Sequence, residues 1–331
     1  MVRNEERLFS PNYLPMLSQV SVVIPIYNGE ADLPDLINCL NAQTYPAEQV
    51  EYLLVDNNST DRTPTILQTA IEQSSKQKIN FRLLSETNIQ SSYAARNTGI
   101  KASIGEIIAF TDADCRPDPN WLQSLIQPFV NIKIGMVAGE IIALPGETLL
   151  EKHADKGNVL SQKHTLAHPF YPYGQTANLA IRKQVFEQVG LFRPYLTTGG
   201  DADICWRIQM HSDWKLDFAP SAIVKHRHRS TLKELQSQWR RYGSSNRYLH
   251  ELHGVDLMRE LSLSEYLHRI VRWLVKELPV NSIKAIAGKA NFVDLLSTPI
   301  DLLNTRARSA GQKAAKLPET AKQIEHLLDC K

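Results

Sequence analysis

The chain has 331 residues, 43% of them hydrophobic and 22% charged, which is ordinary for a globular protein with room for one large domain or two smaller ones. A net charge of +2 excludes a dedicated nucleic-acid binder, although "KHRHRSTLKELQSQWRRYGSSNR" (225–247) gathers seven Lys/Arg against one acid. No run approaches the ~18 apolar residues of a membrane span, the N-terminus lacks an apolar signal core, and four scattered cysteines (Cys39, Cys115, Cys205, Cys330) read as reduced thiols in a cytoplasmic protein.

Residues 1–19 read as a polar N-terminal extension. Strand-like runs then alternate with helical patterns. "VSVVIPIYN" (20–28) and "VEYLLVDN" (50–57) are strands, and between them Leu33, Leu36, Ile37 and Leu40 recur at helical spacing. "NSTDRTPTILQTAIEQ" offers Ser, Thr and Asp as caps and Pro64 for a first turn, so another helix follows. "INFRLLSE" (79–86) is a third strand, "SSYAARNTGIKAS" (91–103) a helix and "EIIAFTDADC" (106–115) a fourth strand. This order predicts an α/β fold, mostly parallel, with helices on both faces and ligands outside the carboxyl ends of the strands.

Beyond residue 130 the pattern changes. "GMVAGEIIAL" and "TANLAIRK" read as strands of a mixed sheet, and "TLLEKHADKGNVLSQKH" (148–164) as a helix. A short helix begins near Asp201 and a strand near Ala222; from 232 onward the chain is helices and loops. In "SLSEYLHRIVRWLVKELP" (262–279), Leu263, Leu267, Ile270, Leu274 and Leu278 form one stripe beside a basic face of His268, Arg269, Arg272 and Lys276. Such a helix either packs on the body of the protein or makes a peripheral membrane contact.

The chemistry-bearing residues gather at strand ends. Asp56, closing the second strand, suits hydrogen bonds from a base or ribose. No GxGxxG follows the first strand and no GxxxxGK[ST] occurs anywhere, which weakens dehydrogenase and P-loop readings. Asp112 and Asp114 point to one side if their strand continues, and with a diphosphate they make an oxygen-rich site for Mn²⁺ or Mg²⁺. "TTGGDADICWRI" (197–208) holds a second Asp-x-Asp, either an acidic helix start or a source of a general base, Asp201 or Asp203. Gly199 and Gly200 allow close backbone approach to a ligand. In "VKHRHRS" (224–230) either His226 or His228 could complete the metal site.

Taken together, "VVIPIYN" (22–28), "VDNNSTD" (55–61), "AARNTG" (94–99), "FTDADC" (110–115), "GQTANLAIRK" (174–183), "GGDADICWR" (199–207) and "HRHRS" (226–230) resemble, in order, a family 2 glycosyltransferase. The resemblance implies a GT-A domain over 20–245, with a nucleotide-sugar half at about 20–130 and an acceptor half at about 131–230, followed by a helical C-terminal region over 246–331. It implies inverting transfer of a sugar from a nucleotide-diphosphate sugar to an acceptor hydroxyl on a glycan, a lipid-linked molecule or another compound, assisted by a divalent metal, at the cytoplasmic side. Pro25, Tyr27 and Glu30 match positions near the base, Asp56 the base- or ribose-binding acid, and Arg96 and Asn97 residues near the diphosphate and sugar. Asp112 and Asp114 match the DxD motif, with Asp114 the direct metal ligand. Gly174, Gln175, Asn178, Gly199 and Gly200 fall on the acceptor side. Asp201 matches the catalytic aspartate of a Glu-Asp pair, but Gly200 stands where that Glu would be, so Asp203 is kept as an alternative. "QSQWRRYG" lacks the QxxRW order of processive members, which implies one transfer per binding event. A sugar nucleotidyltransferase and a sugar-nucleotide-binding subunit without catalysis are the competing readings.

Overall fold

In the computed structural model, which describes residues 18–77 and 79–327, the first half of the chain alternates strand and helix. The elements are β1 (Val20–Ile26), α1 (Leu33–Asn41), β2 (Val50–Asp56), α2 (Thr63–Gln77), β3 (Asn80–Ser85), α3 (Ser92–Ala102) and β4 (Ile107–Phe110). β1 is buried at every position, as its unbroken apolar run requires of a strand covered on both faces. There follow β5 (Cys115–Pro117), α4 (Trp121–Ile126), β6 (Ile134–Ala143), α5 (Leu149–Lys156), α6 (Lys163–Leu166), β7 (Leu179–Arg182), α7 (Lys183–Val189), α8 (Gly200–His211) and β8 (Lys215–His226). The chain ends in α9 (Leu232–His253), α10 (Leu263–Arg272), α11 (Leu278–Ile286) and α12 (Phe292–Ala314).

One eight-stranded sheet runs β3-β2-β1-β4-β7-β6-β8-β5. β1 to β4 pair in parallel, β7 runs antiparallel between β4 and β6, and β5 runs antiparallel on β8. The sheet is thus parallel through β4 and mixed in its second half, as expected of the strands beyond residue 130. Pro25 sits in β1 without breaking the sheet, because β4 pairs with β1 only as far as Val23↔Phe110. One apolar layer packs Leu33, Leu36 and Leu40 of α1 with Trp121 and Leu122 of α4. The opposite layer packs Tyr93 and Ile100 of α3 with Phe186, Phe192 and Ile204.

Two predicted elements differ in detail. The fourth strand stops at Phe110; residues 111–114 turn, with the Cys115 amide donating to the Asp112 carbonyl (3.1 Å), before β5 starts. The helix read at 148–164 opens with a Thr148/Glu151 capping box but breaks after Lys156, where Asn158 takes a left-handed φ of 49°.

The boundary read at 245/246 lies inside α9, which runs unbroken across it. α9 and α12 cross backbone to backbone. A Cβ at Gly243 would overlap the Arg308 carbonyl, and one at Gly311 the Arg240 carbonyl, so only glycine permits this approach. The extension read at 1–19 falls, up to residue 17, outside the described residues, as does Cys330.

Candidate active site

The loops after β1 and β2 are laced into one rim. Asn28, at φ 50°, donates its amide to Ser59 Oγ (2.9 Å) and accepts from the Thr60 amide (2.8 Å). Glu30 accepts from the Arg62 amide (3.0 Å) and Arg62 Nε (3.2 Å). Asp56 ends β2, half-buried, and accepts from the Ser59 amide at 3.3 Å. Tyr27 stands exposed on the rim. An exposed aromatic beside a strand-end carboxylate fits a ring above a base with an acid on its polar edge.

The two acids of 112–114 take different partners, because the chain turns where a continuing strand would have aligned them. Asp112 Oδ1 accepts from Arg96 of α3 at 2.6 Å. Asp114 Oδ1 lies 3.3 Å from His226 Nε2, and Arg229 reaches its other oxygen at 3.9 Å. The register Cys115↔His226 between β5 and β8 brings these segments together. His226 donates Nδ1–H to the Arg227 carbonyl (2.8 Å); burial acts to lower its pKa, but the hydrogen bond and charge of Asp114 outweigh it, so Nε2 turns a proton toward Asp114 that a bound cation would displace to take the lone pair. Burial favours protonation of Asp114, but the hydrogen bond and charge of His226 and the charge of Arg229 outweigh it and hold the carboxyl at about 2.

A carboxylate, an imidazole and the Cys115 thiol converge here. Burial pushes the thiol well above its ordinary pKa, so it stays neutral and is the poorest of the three donors. An ionised Asp and an imidazole lone pair suit Mn²⁺ or Mg²⁺ completed by phosphate oxygens. A further donor lies close by: buried Arg96 Nε has no hydrogen-bond partner among the described residues. Of the two histidines, His226 faces Asp114. Buried His228 sits in the fields of Asp155, His226 and Glu151, its pKa lowered chiefly by burial. Asp112, read as a co-ligand, gives one oxygen to Arg96.

Asp201 enters from the first turn of α8. Thr176 holds it, donating Oγ1–H to Oδ1 (3.0 Å) and its amide to Oδ2 (3.4 Å). Burial raises its pKa, Arg96 partly offsets this, and Asp112 adds to it. The hydroxyls of Tyr93, Tyr173 and Tyr242 all feel its charge. Thr176, Arg229 and these tyrosines were missed in the sequence; none has a spacing to Asp201 or Asp114 that a linear pattern shows.

Gly200 has a steric cause. Its amide donates to Tyr93 Oη (2.9 Å), and a Cβ there would lie 2.6 Å from ring carbons of Tyr93. The Glu that the resemblance places here has no room beside that ring. Gly200→Ala is expected to lower stability by about 1–3 kcal/mol, as overpacking does, read by denaturant unfolding. Unchanged stability would mean that Tyr93 yields freely.

Three residues assigned to the site by position are turned into the core. Asn97 exchanges both amide hydrogen bonds with the backbone of Phe192, donating at 2.8 Å and accepting at 3.0 Å, and is buried. Asn178 is buried too: it donates to the Glu140 and Ala222 carbonyls (2.8 Å each) and accepts from Trp121 Nε1 (2.8 Å), locking β6 to β8. Asp203 has no exposure and is held by Arg193 (3.0 Å), Arg207 (3.0 Å) and His253 (2.9 Å), which leaves it no approach to an acceptor. On the acceptor side, Gly174 is buried against Leu179 and Ala138, Gln175 bonds the Leu160 carbonyl (3.3 Å), and Gly199 turns with φ 81° into α8 beneath Ser245.

A model of glycosyl transferase family 2 matches residues 21–196. The chain belongs to that family. This glycosyltransferase is 33% identical over 250 residues to glycosyltransferase AglE of Haloferax volcanii, covering 75% of this chain and 79% of that one. It is 27% identical over 236 residues to the pre-mycofactocin glycosyltransferase of Mycobacterium tuberculosis, covering 70% of this chain and 47% of that one. Its fold is similar, at a TM-score of 0.62 and 18% identity, to the mannosyltransferase PcManGT of Pyrobaculum calidifontis solved with GDP-Man and Mn²⁺, covering 90% of this chain and 87% of that one. It is also similar to S. aureus TarS 1–349 with UDP-GlcNAc, at a TM-score of 0.51 and 16% identity over 89% of this chain and 91% of that one. The fold is GT-A with a C-terminal helical region, as the motifs implied.

Proposed function

We propose that this glycosyltransferase moves a sugar, with inversion, from a nucleotide-diphosphate sugar to an acceptor hydroxyl, with Asp201 as general base and a divalent cation held by Asp114 and His226. The carrying observation is the Arg96–Asp112 pair, which links two carboxylates of opposite character: Asp114 beside His226, and Asp201 in the first turn of α8. Neighbouring structures solved with GDP-Man and Mn²⁺ or with UDP-GlcNAc support the donor class.

Each residue then has a distinct task. Tyr27 and Asp56 would receive the base and ribose at the rim of β1 and β2. The free Nε–H of Arg96 would donate to a diphosphate oxygen. A bound Mn²⁺ or Mg²⁺ would offset the charge on the departing diphosphate. Thr176 fixes both oxygens of Asp201, so its remaining lone pairs point to one side, where an acceptor hydroxyl would give up its proton.

Asp114→Asn is expected to weaken Mn²⁺-dependent binding of a nucleoside diphosphate by about tenfold or more, since it removes a charge-assisted contact and nearly conserves shape. Calorimetric titration with and without Mn²⁺ reads this. An affinity that keeps its full Mn²⁺ dependence in the variant would remove Asp114 from the site. Thermal stabilisation by a series of nucleotide sugars, with and without Mn²⁺, identifies the donor.

A further inference from the structure

α10 and α11, unlike α12, leave their apolar residues outside the core. An amphipathic helix in a globular protein normally turns its apolar stripe inward. Leu263, Leu267 and Ile270 of α10 and Leu274 of the π-helical turn Trp273–Glu277 face out, with Leu263 76% exposed, and no residue of α10, of that turn or of α11 is buried. The outward run continues through Val275, Ile283 and Ile286, which is 89% exposed, and reaches Phe292 at the start of α12, 79% exposed.

The inward side, which includes Tyr266, Trp273 and Leu278, is fastened by hydrogen bonds. Trp273 Nε1 donates to the Leu295 carbonyl (2.8 Å), Asn281 Nδ2 to the Asp294 carbonyl (3.0 Å), and Thr298 Oγ1 to Glu277 (2.5 Å). Hydrogen bonds therefore anchor the segment to α12 and hold its apolar side in the open. So many exposed apolar side chains within one segment mark an interaction site.

We propose that α10, α11 and the start of α12 form an interfacial surface that seats the protein on an anionic lipid membrane. Charge selects this occupant. Residues 262–289 carry five Lys/Arg (Arg269, Arg272, Lys276, Lys284, Lys289) against two acids, Glu265 and Glu277. Both acids are engaged, Glu265 by Arg259 and the Ser262 cap, Glu277 by Thr298 and Arg272. A second copy docked on the same stripe would bring two basic rims together, and their like-charge repulsion opposes that pairing. Among the described residues no helix is long and apolar enough to cross a membrane, so the surface lies on the bilayer. A hydrogen bond between His153 and Asp301 (3.0 Å) and the ion pair Lys156–Asp294 join α12 to α5 in the body of the protein. The surface uses none of the residues assigned to the donor site, and its test can fail without touching the transfer reading.

The test is co-sedimentation of the full chain with phosphatidylcholine vesicles, with and without phosphatidylglycerol. The protein is expected in the pellet with anionic vesicles at low salt and to leave it as salt rises, since attraction between exposed charges is screened over about 8–10 Å at physiological ionic strength. Arg269→Glu with Lys276→Glu should lower partitioning by about tenfold or more. Leu267→Glu with Ile270→Glu, at exposed positions, should abolish it while leaving Mn²⁺-dependent nucleotide binding intact, which also verifies folding. The proposal is overturned if the protein stays in the supernatant with anionic vesicles at low salt, if it binds phosphatidylcholine alone equally well, or if the Leu267/Ile270 variant still pellets. It is likewise overturned if light scattering shows a dimer that this variant dissociates.

Discussion

Replacing Asp201 by Asn is expected to cut sugar transfer by about 10²–10⁴-fold while donor binding stays near wild type. The carboxylate is held on both oxygens by Thr176, at 3.0 and 3.4 Å, and the amide can keep one of these contacts, so the helix start need not move. What is lost is the group proposed to accept the proton. Burial raises the pKa of Asp201 above its ordinary 3.8, with Arg96 opposing and Asp112 reinforcing the shift. A base acts only when unprotonated. Wild-type transfer should therefore fall as pH drops through that raised value, sooner than an unperturbed Asp would allow, and the variant should lack this limb. Initial rates across pH, alongside calorimetric donor affinity, separate this from a binding defect. Near-normal turnover in Asp201→Asn would withdraw the base assignment. Loss of donor affinity in step with rate would make Asp201 a binding residue. The partner that the family pair would supply is absent here because Tyr93 fills its place over Gly200; its hydroxyl, which accepts from the Gly200 amide, fixes the helix start that presents Asp201.

The sequence carried the local information well. The unbroken apolar run of β1, the helical spacing of α1 and the motifs with the strand-end acids placed the sheet and the family. Pairings between distant segments were beyond a linear reading. His226 could be separated from His228 only by the β5–β8 register that sets Cys115 against His226. Asn97 and Asn178 are polar residues inside family motifs, and nothing in their spacing tells that each is consumed by backbone partners in the core. For α10 the spacing gave the stripe but not its direction, since direction depends on what α12 offers, and α12 offers carbonyls and a threonine hydroxyl.

Asp203→Asn is expected to destabilise the fold by about 3–5 kcal/mol, the usual consequence of removing one member of a buried ion pair. Asp203 has no solvent exposure and neutralises Arg193 and Arg207 together, with His253 of α9 as a third partner. Those arginines are themselves committed: Arg207 to the Val189 (2.5 Å) and Leu191 (2.7 Å) carbonyls, and Arg193 to the Lys322 carbonyl near the C-terminus. The amide would leave two buried cations without a counter-charge and loosen the joint between α8, α9 and the C-terminal segment. The direction with pH follows from the depressed carboxyl. Burial acts to raise its pKa, but Arg207, His253 and Arg193 outweigh it and hold it far below 3.8. Its stabilisation is thus fully present above 3.8 and fades as pH falls from there toward the folded-state value. Chemical unfolding of wild type and variant should show the full gap at neutral pH and a narrowing gap below 3.8. At neutral pH the folded fraction of Asp203→Asn should still transfer sugar near the wild-type rate, because the residue does not face the acceptor. A variant of unchanged stability that no longer transfers would return Asp203 to the catalytic machinery and refute the structural role assigned to it.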